Sequence, residues 1–334
     1  MTPQQLSPEQ GARRATPASV IGLCIALLSV ACAPIFIRLS ETELGANGTV
    51  FNRLFVFFVV FGVGRWLASA FSPTRDRPLS PPSRRQYLLL ASLGILSTAS
   101  LGLWAVSLQY TTVAKSVLLN NLTPIFTTMG AWLLFGRRFD KTFLLGMGVA
   151  LLGAIALGAE DIFGSSMSLV GDCLALLSAV FFSGYLLAVE QLRARFSATT
   201  ILLWRCAVGS ALLLPITWVT EGQIFPTTDT AVFAVLGLGI VSEGLGQRLL
   251  ADSLNTFTSS FIALLSLLEP IFSAILAWFA FVEQLSPMTW VGFAIVLGGI
   301  YLAQTSQGAT QVPAPVPVET VEAELGSGRS AARA

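Results

Sequence analysis

Apolar residues run along this chain in blocks of roughly twenty, several of them apolar on every helical face, with short polar or charged breaks between them. Ten blocks are readable: 19–37, 49–71, 87–108, 113–135, 142–158, 168–188, 199–219, 230–251, 257–281 and 287–303. A helix needs about 20 apolar residues to cross a bilayer core of ~30 Å. One that is apolar all round belongs against lipid and other helices. The pattern predicts an all-α membrane protein with ten transmembrane helices. The breaks carry turn and charge signals, as in SPTRDRPLSPPSRR (72–85), GRRFDK (136–141) and EDIFGSS (160–166). Residues 1–17 and 305–334 lack an apolar period and read as disordered tails.

Composition narrows the function. Apolar residues make up 54% of the chain and charged residues 11%, against roughly 25% charged in an ordinary soluble domain. The net charge is +1, so no overall field draws nucleic acid. The sequence has no His, which removes His-based nucleophile systems, general bases and metal ligands together. Cys24, Cys32, Cys173 and Cys206 lie in apolar stretches without a CxxC spacing. They read as small buried hydrophobes, not as a disulfide frame or zinc site. No GxxxxGK[ST] loop is present to couple ATP directly. No catalytic residue, metal or cofactor is expected.

Charge asymmetry orients the helices. With the N-terminus in the cytoplasm, thirteen Lys and Arg fall inside, among them Arg13, Arg14, Arg75, Arg77, Arg137, Arg138 and Arg193. Two, Arg38 and Lys115, fall outside. Ten crossings return the C-terminus to the cytoplasm. Arg13-Arg14, the first apolar run and Ala31-Cys32-Ala33 resemble a cleaved export signal, but Pro34 would follow the cut, so a retained first helix is expected.

The chain also repeats itself. Shifted by 146 residues, SLQYTTVAKSVLLNNLTPIFTTMGAWLLF (107–135) falls on SLNTFTSSFIALLSLLEPIFSAILAWFAF (253–281), matching Pro124 with Pro270, Ile125 with Ile271, Phe126 with Phe272 and Trp132 with Trp278. Five spans separate the copies. An odd number inverts the second copy, so 18–158 and 159–304 are expected to form two inverted five-helix repeats around a central cavity. Two near-equivalent halves can exchange conformations at similar energy, which suits alternating access.

Charges within the spans need a reason, since each costs ~2.5–3.5 kcal/mol at a helix centre. Glu269 lies mid-way along helix 9, just before Pro270, which frees a carbonyl one turn earlier. It reads as a substrate-amine or proton-coupling group, or as a packing hydrogen bond. The repeat places Thr123 opposite it. Glu243 on helix 8 and Arg205 on helix 7 lie at similar depth and can pair, structurally or as a gate. Arg53, the repeat counterpart of Arg205, lies ~6 Å below the outer face. It either snorkels to lipid phosphates or holds a substrate carboxylate at an outer gate. Asn120 and Asn121, one turn before Pro124, offer donors and acceptors to a zwitterion or polyol, or to a neighbouring helix. Trp104, with Gln109, can line the path. Arg65 and Arg248 read as interfacial anchors, and Trp204, Trp218 and Trp290 as belt residues. Asp172 has no assigned role. Small residues in helix 5 (Gly146, Ala150, Ala154, Gly158) and helix 10 (Ala294, Gly298) form stripes for close packing, either on each other or in a homodimer.

The phrases SLQYTTVAKSVLLNNLTPIF and SLNTFTSSFIALLSLLEPIFSAILAWFAFVEQLSPMTWVGFAIVLGG resemble the drug/metabolite transporter superfamily, EamA type, over roughly 18–304. The helix exits depart from that pattern: Gly136-Arg137-Arg138 lacks the acid, and the second exit is Val282-Glu283-Gln284. The resemblance implies helices 5 and 10 at the periphery, with the other eight around the cavity. It also implies a plasma-membrane secondary transporter of small polar metabolites such as amino acids, favouring export. Proton coupling through Glu269 or Glu243 fits this reading, as do exchange and facilitated diffusion. A channel or non-transporting scaffold is the alternative.

Overall fold

The structure, a computed structural model, describes residues 17–71, 84–111, 113–162, 169–281 and 287–306. The expectations for most of both tails, for residues 72–83 and for the Val282-Glu283-Gln284 exit lie outside these residues, as do the side chains of Gln109 and Lys115. Among the described residues every regular element is helical. They are α1 (Pro17–Ala31), α2 (Ala33–Ser40), α3 (Ala46–Phe71), α4 (Arg84–Tyr110), α5 (Val113–Asn120), α6 (Thr123–Phe135), α7 (Lys141–Ile162) and α8 (Leu169–Arg193). There follow α9 (Ala198–Glu221), α10 (Asp229–Gly237), a π-helical segment (Leu238–Gln247), α11 (Arg248–Ser253), α12 (Ser259–Leu265), a 3-10 turn (Ser266–Leu268), α13 (Glu269–Phe281) and α14 (Pro287–Gln304). Eight stretches among these residues are long and apolar enough to cross a membrane. Helices α7 and α14 are apolar over shorter stretches, Lys141–Ala156 and Thr289–Gln304.

Three of the apolar blocks are interrupted rather than continuous, and proline explains the breaks. Proline lacks the N–H that would bond the carbonyl four residues earlier, and its ring crowds that carbonyl. Pro34 follows the interruption at Cys32, Pro124 the one at Asn121-Leu122, and Pro270 the 3-10 turn. The carbonyls released belong to Val30, Asn120 and Ser266. That of Asn120 accepts the Thr123 hydroxyl at 2.6 Å. Glu269 therefore begins a new helix, where the sequence pattern suggested the middle of an unbroken one.

Long antiparallel pairs hold the bundle. Helices α3 and α9 are fastened at both ends. At one, the Glu221 carboxylate accepts the N–H groups of Asn47 (2.8 Å) and Gly48 (3.0 Å), which open α3. At the other, Arg65 Nη1 donates to Thr200 Oγ1 at 2.9 Å, so Arg65 is tied to a neighbouring helix. Helices α4 and α8 meet through reciprocal serines. Ser178 Oγ donates to the Ser100 carbonyl at 2.8 Å, and Ser100 Oγ to the Ser178 carbonyl at 3.0 Å.

Helices α7 and α14 pack on each other within the chain. A Cβ at Gly146 or Gly299 would run into the backbone of the opposite helix, which is what permits the close approach. Gly146 and Ala150 of the expected α7 stripe lie on this face, together with Gly153; Ala154 is buried, and the surroundings of Gly158 lie outside what is described. The α14 face is not the expected Ala294 and Gly298, which are exposed. It is formed by Gly292, Val296, Gly299 and Ala303. A homodimer through helices 5 and 10 would therefore have to use their outer surfaces.

The outer surface is strongly apolar, with Leu133, Leu134, Leu152, Trp218 and Val219 all more than half exposed. Lipid covers such a surface without cost. Only Cys206 of the four cysteines is buried in protein. Cys24 and Cys173 lie on the exterior, because an apolar stretch in a membrane protein faces lipid as readily as core.

Candidate functional site

A cavity of about 350 Å³ opens among the broken helices. Its wall is drawn from the α1–α2 break (Val30, Ala33, Pro34, Ile37), from α3 (Arg53) and from α4 (Ser97, Ser100, Leu101, Trp104). The α5–α6 break adds Val117, Asn120, Asn121, Thr123 and Pro124, and α8 adds Ser178 and Phe182. Arg205 of α9, Gln247 of the π segment, and Ser266, Glu269, Pro270 and Ser273 around the α12–α13 break complete it. Helices α7 and α14 contribute no lining residue. All three interruptions thus face one space. Irregular backbone at membrane depth is tolerated only where it is buried or lines a polar cavity.

Beside the cavity lies a charged trio. Glu243 is fully buried and accepts from two arginines of different helices. Arg53 Nε of α3 reaches Oε2 at 2.8 Å, and Arg205 Nη1 of α9 reaches Oε1. Arg205 is fixed on every side. Its Nε donates to Ser97 Oγ at 2.7 Å, and its guanidinium lies 5.0 Å from the Tyr185 ring centroid. Glu243 sits within the π segment. The extra backbone residue of such a segment is a recurrent device for aiming a functional side chain. Gly239 and Gly244 in that segment let Val56 and Phe61 of α3 press against its backbone.

Glu269 is half-buried at the cavity wall. Its polar neighbours are the Ser266 hydroxyl and, through space, the Arg53 guanidinium. The Trp104 indole N–H is enclosed and has no hydrogen-bond partner among the described residues. Among the described residues, no group of three or more His, Cys, Asp or Glu is arranged to hold a metal ion.

Two stretches of the chain, 17–159 and 169–305, each match the EamA-like transporter family. The chain belongs to that family. Among its relatives is the pseudopaline exporter CntI of Pseudomonas aeruginosa, 26% identical over 68% of this chain and 78% of the relative. Human solute carrier family 35 member E4 is 30% identical over 77% of this chain and 76% of the relative. An uncharacterized transporter of Archaeoglobus fulgidus is 24% identical over 85% and 96%. A solved crystal structure shares the fold at 18% identity, with a TM-score of 0.72 over 87% of this chain and 98% of that one. The chain is thus a multi-pass membrane protein of a transporter family.

Within this EamA-like protein, Arg53, Trp104, Asn120, Asn121, Pro124, Arg205, Glu269 and Pro270 line one cavity, and Glu243 is bonded to two of them; the side chain of Gln109 lies outside the described residues. Arg53 does not fit the lipid-anchor reading, because its Nε is committed to a fully buried carboxylate. Trp204 is partly buried and packs against Tyr87 with ring centroids 5.7 Å apart. Trp218 and Trp290 are exposed, 68% and 51%. Asp172 accepts the Thr111 hydroxyl at 2.9 Å and joins α8 to the end of α4.

Several polar residues escaped sequence reasoning. Ser97 and Ser100 belong to the short hydroxyl cluster Ser97-Thr98-Ala99-Ser100, a signal that could have marked them, whereas Ser178 and Tyr185 are single hydroxyls in an apolar run. Glu190 is another. It accepts the Ser259 N–H at 3.0 Å and pairs with Arg137 at 2.6 Å. Arg137 belongs to the departing Gly136-Arg137-Arg138 exit, so the acid missing there is supplied by another helix.

Proposed function

We propose that the protein is a secondary transporter in the plasma membrane, carrying small polar metabolites such as amino acids by alternating access, with export the favoured direction. It acts as a carrier and not as an enzyme. The observation that carries this reading is the largely apolar cavity with a few polar groups, into which three proline breaks and the residues Glu269, Arg53, Asn120, Asn121 and Trp104 converge. In this reading α7 and α14 also cross the bilayer, giving ten spans with both termini in the cytoplasm. Residues 18–158 and 159–304 are the inverted repeats.

The packing supports that arrangement. Exchanging the halves maps the α3–α9 pair and the α7–α14 pair each onto itself, and maps α4 against α8 onto α1 against the π segment and α11. The two matched stretches of the family, 17–159 and 169–305, agree with a duplicated unit. The exporter and solute-carrier names of two relatives support a carrier of small solutes. In that cycle Glu269 takes up the ammonium of the solute or a proton.

Glu269→Gln tests this in proteoliposomes. It keeps the shape of the side chain and removes its charge, so the folded yield stays normal while flux falls at least tenfold. Near-normal flux would remove Glu269 from the mechanism.

A further inference from the structure

The two arginines that correspond between the repeats have unequal surroundings, and the difference identifies what one of them is for. Arg205 is saturated by protein: Nη1 bonds Glu243, Nε bonds Ser97, and Tyr185 covers its face. Arg53 makes a single bond, from Nε to Glu243 at 2.8 Å. Its two Nη groups have no protein partner among the described residues, and it lines the cavity. Nη1 and Nη2 together form the end-on edge of a guanidinium, which matches the two oxygens of a carboxylate. Glu243 holds the side chain by its other edge, so this donor pair is oriented before any solute arrives.

The electrostatics agree. Arg53 and Arg205 share the one negative charge of Glu243, and Glu269, on which Arg53 acts through space, supplies a second. With all four ionised the group is neutral, so a zwitterion is matched and a lone cation or anion is not.

Building on the transport reading, we infer that Arg53 is the anion receptor of the cavity and sets specificity for solutes that bear a carboxylate. Arg205, its counterpart, has become a structural residue that keeps Glu243 in place. A solute with both a carboxylate and an ammonium sets the first against Arg53 and the second against Glu269, and adds no net charge to the site. A simple amine leaves the Arg53 donor pair unmet.

The test uses matched probes: the common amino acids, the amine made from each by removing its carboxylate, and the acid made from each by removing its ammonium. Uptake of each is measured in proteoliposomes holding the full chain. At least one amino acid is expected to move saturably, with kcat/KM at least tenfold above that of its matched amine. Arg53→Gln then raises the KM for that amino acid at least tenfold and cuts the preference for amino acid over matched amine at least fivefold, while Arg53→Lys restores part of the loss. Folded yield persists in both, because Arg205 still neutralises Glu243. Equal losses for amino acid and amine in Arg53→Gln would make Arg53 structural and overturn the inference alone. Saturable uptake of amines by the wild type, with no preference for carboxylates, overturns it too. If sealed vesicles move no probe of any class saturably, the transport reading fails and takes the inference with it.

Discussion

Replacing Glu243 with Ala removes the only acid between two buried guanidiniums. Arg205 has a side chain 5% exposed and cannot recover its solvation, whereas Arg53, 13% exposed, keeps an edge on the cavity. Breaking a buried ion pair by deleting one partner costs about 3–5 kcal/mol, and here Arg205 is the cation stranded. Arg205→Met alone is milder. Glu243 keeps Arg53 at 2.8 Å, and the remaining loss is the Ser97 hydroxyl bond and the Tyr185 contact, about 1–3 kcal/mol.

The informative variant combines Arg205→Met with Glu243→Met. It leaves one cation, Arg53, at the cavity wall and replaces the buried pair with apolar volume, which is often neutral or stabilising. The double variant should therefore be more stable than the Glu243→Met single variant, which strands Arg205 as Glu243→Ala does, and no worse than Arg205→Met, with a coupling of about 2 kcal/mol or more. Thermal unfolding of the purified protein, followed by the fraction that stays monodisperse after heating, ranks the three. Losses that add within about 0.5 kcal/mol would refute the claim that these side chains act as one buried unit.

Other expectations follow from particular contacts. Gly299→Leu should cost about 1–3 kcal/mol by overpacking the α7–α14 contact, whereas Gly298→Leu on the exposed face should fall within about 0.5 kcal/mol of wild type; chemical unfolding of the two distinguishes which face of α14 is inside. Glu190→Ala strands the half-buried Arg137 and the Ser259 N–H and should cost about 3–5 kcal/mol, read as the loss of folded protein on heating. Glu43, in the loop before α3, accepts from the backbone and hydroxyls of Thr227 and Thr228, and these bonds push its carboxyl from 4.5 down to about 2. A depressed carboxylate contributes stability above its unfolded value that is lost as pH falls through the folded one. Wild type should thus lose more stability than Glu43→Gln between pH 4.5 and 2, in a pH series of thermal unfolding.

Much of the fold was legible because lipid imposes one rule on long apolar blocks, and the block boundaries fall close to the helices described. The Pro-Ile-Phe duplication was legible because proline cannot be exchanged cheaply inside a helix. The interruptions at Cys32, Asn121-Leu122 and Ser266–Leu268 were not readable as breaks, since a proline alone does not say whether a helix kinks or stops. Depth counting along one helix put Arg53 near a face. It ignored the length of an arginine side chain, which lets α3 and α9 reach the same carboxylate from opposite ends. The α14 stripe misled for a different reason: small residues lie on two faces of that helix, and only the partner helix decides which is used. Ser178 and Tyr185 could not be picked out, because a single hydroxyl in an apolar run carries no mark of what it bonds.

The central claim is that the cavity binds a solute and carries it across the membrane with the change of conformation. Counterflow tests it most directly. Proteoliposomes loaded with an unlabelled amino acid should accumulate the same labelled amino acid transiently above its outside concentration, and Glu269→Gln should abolish that overshoot. Flux that rises linearly with concentration and ignores the solute on the far side would contradict the claim.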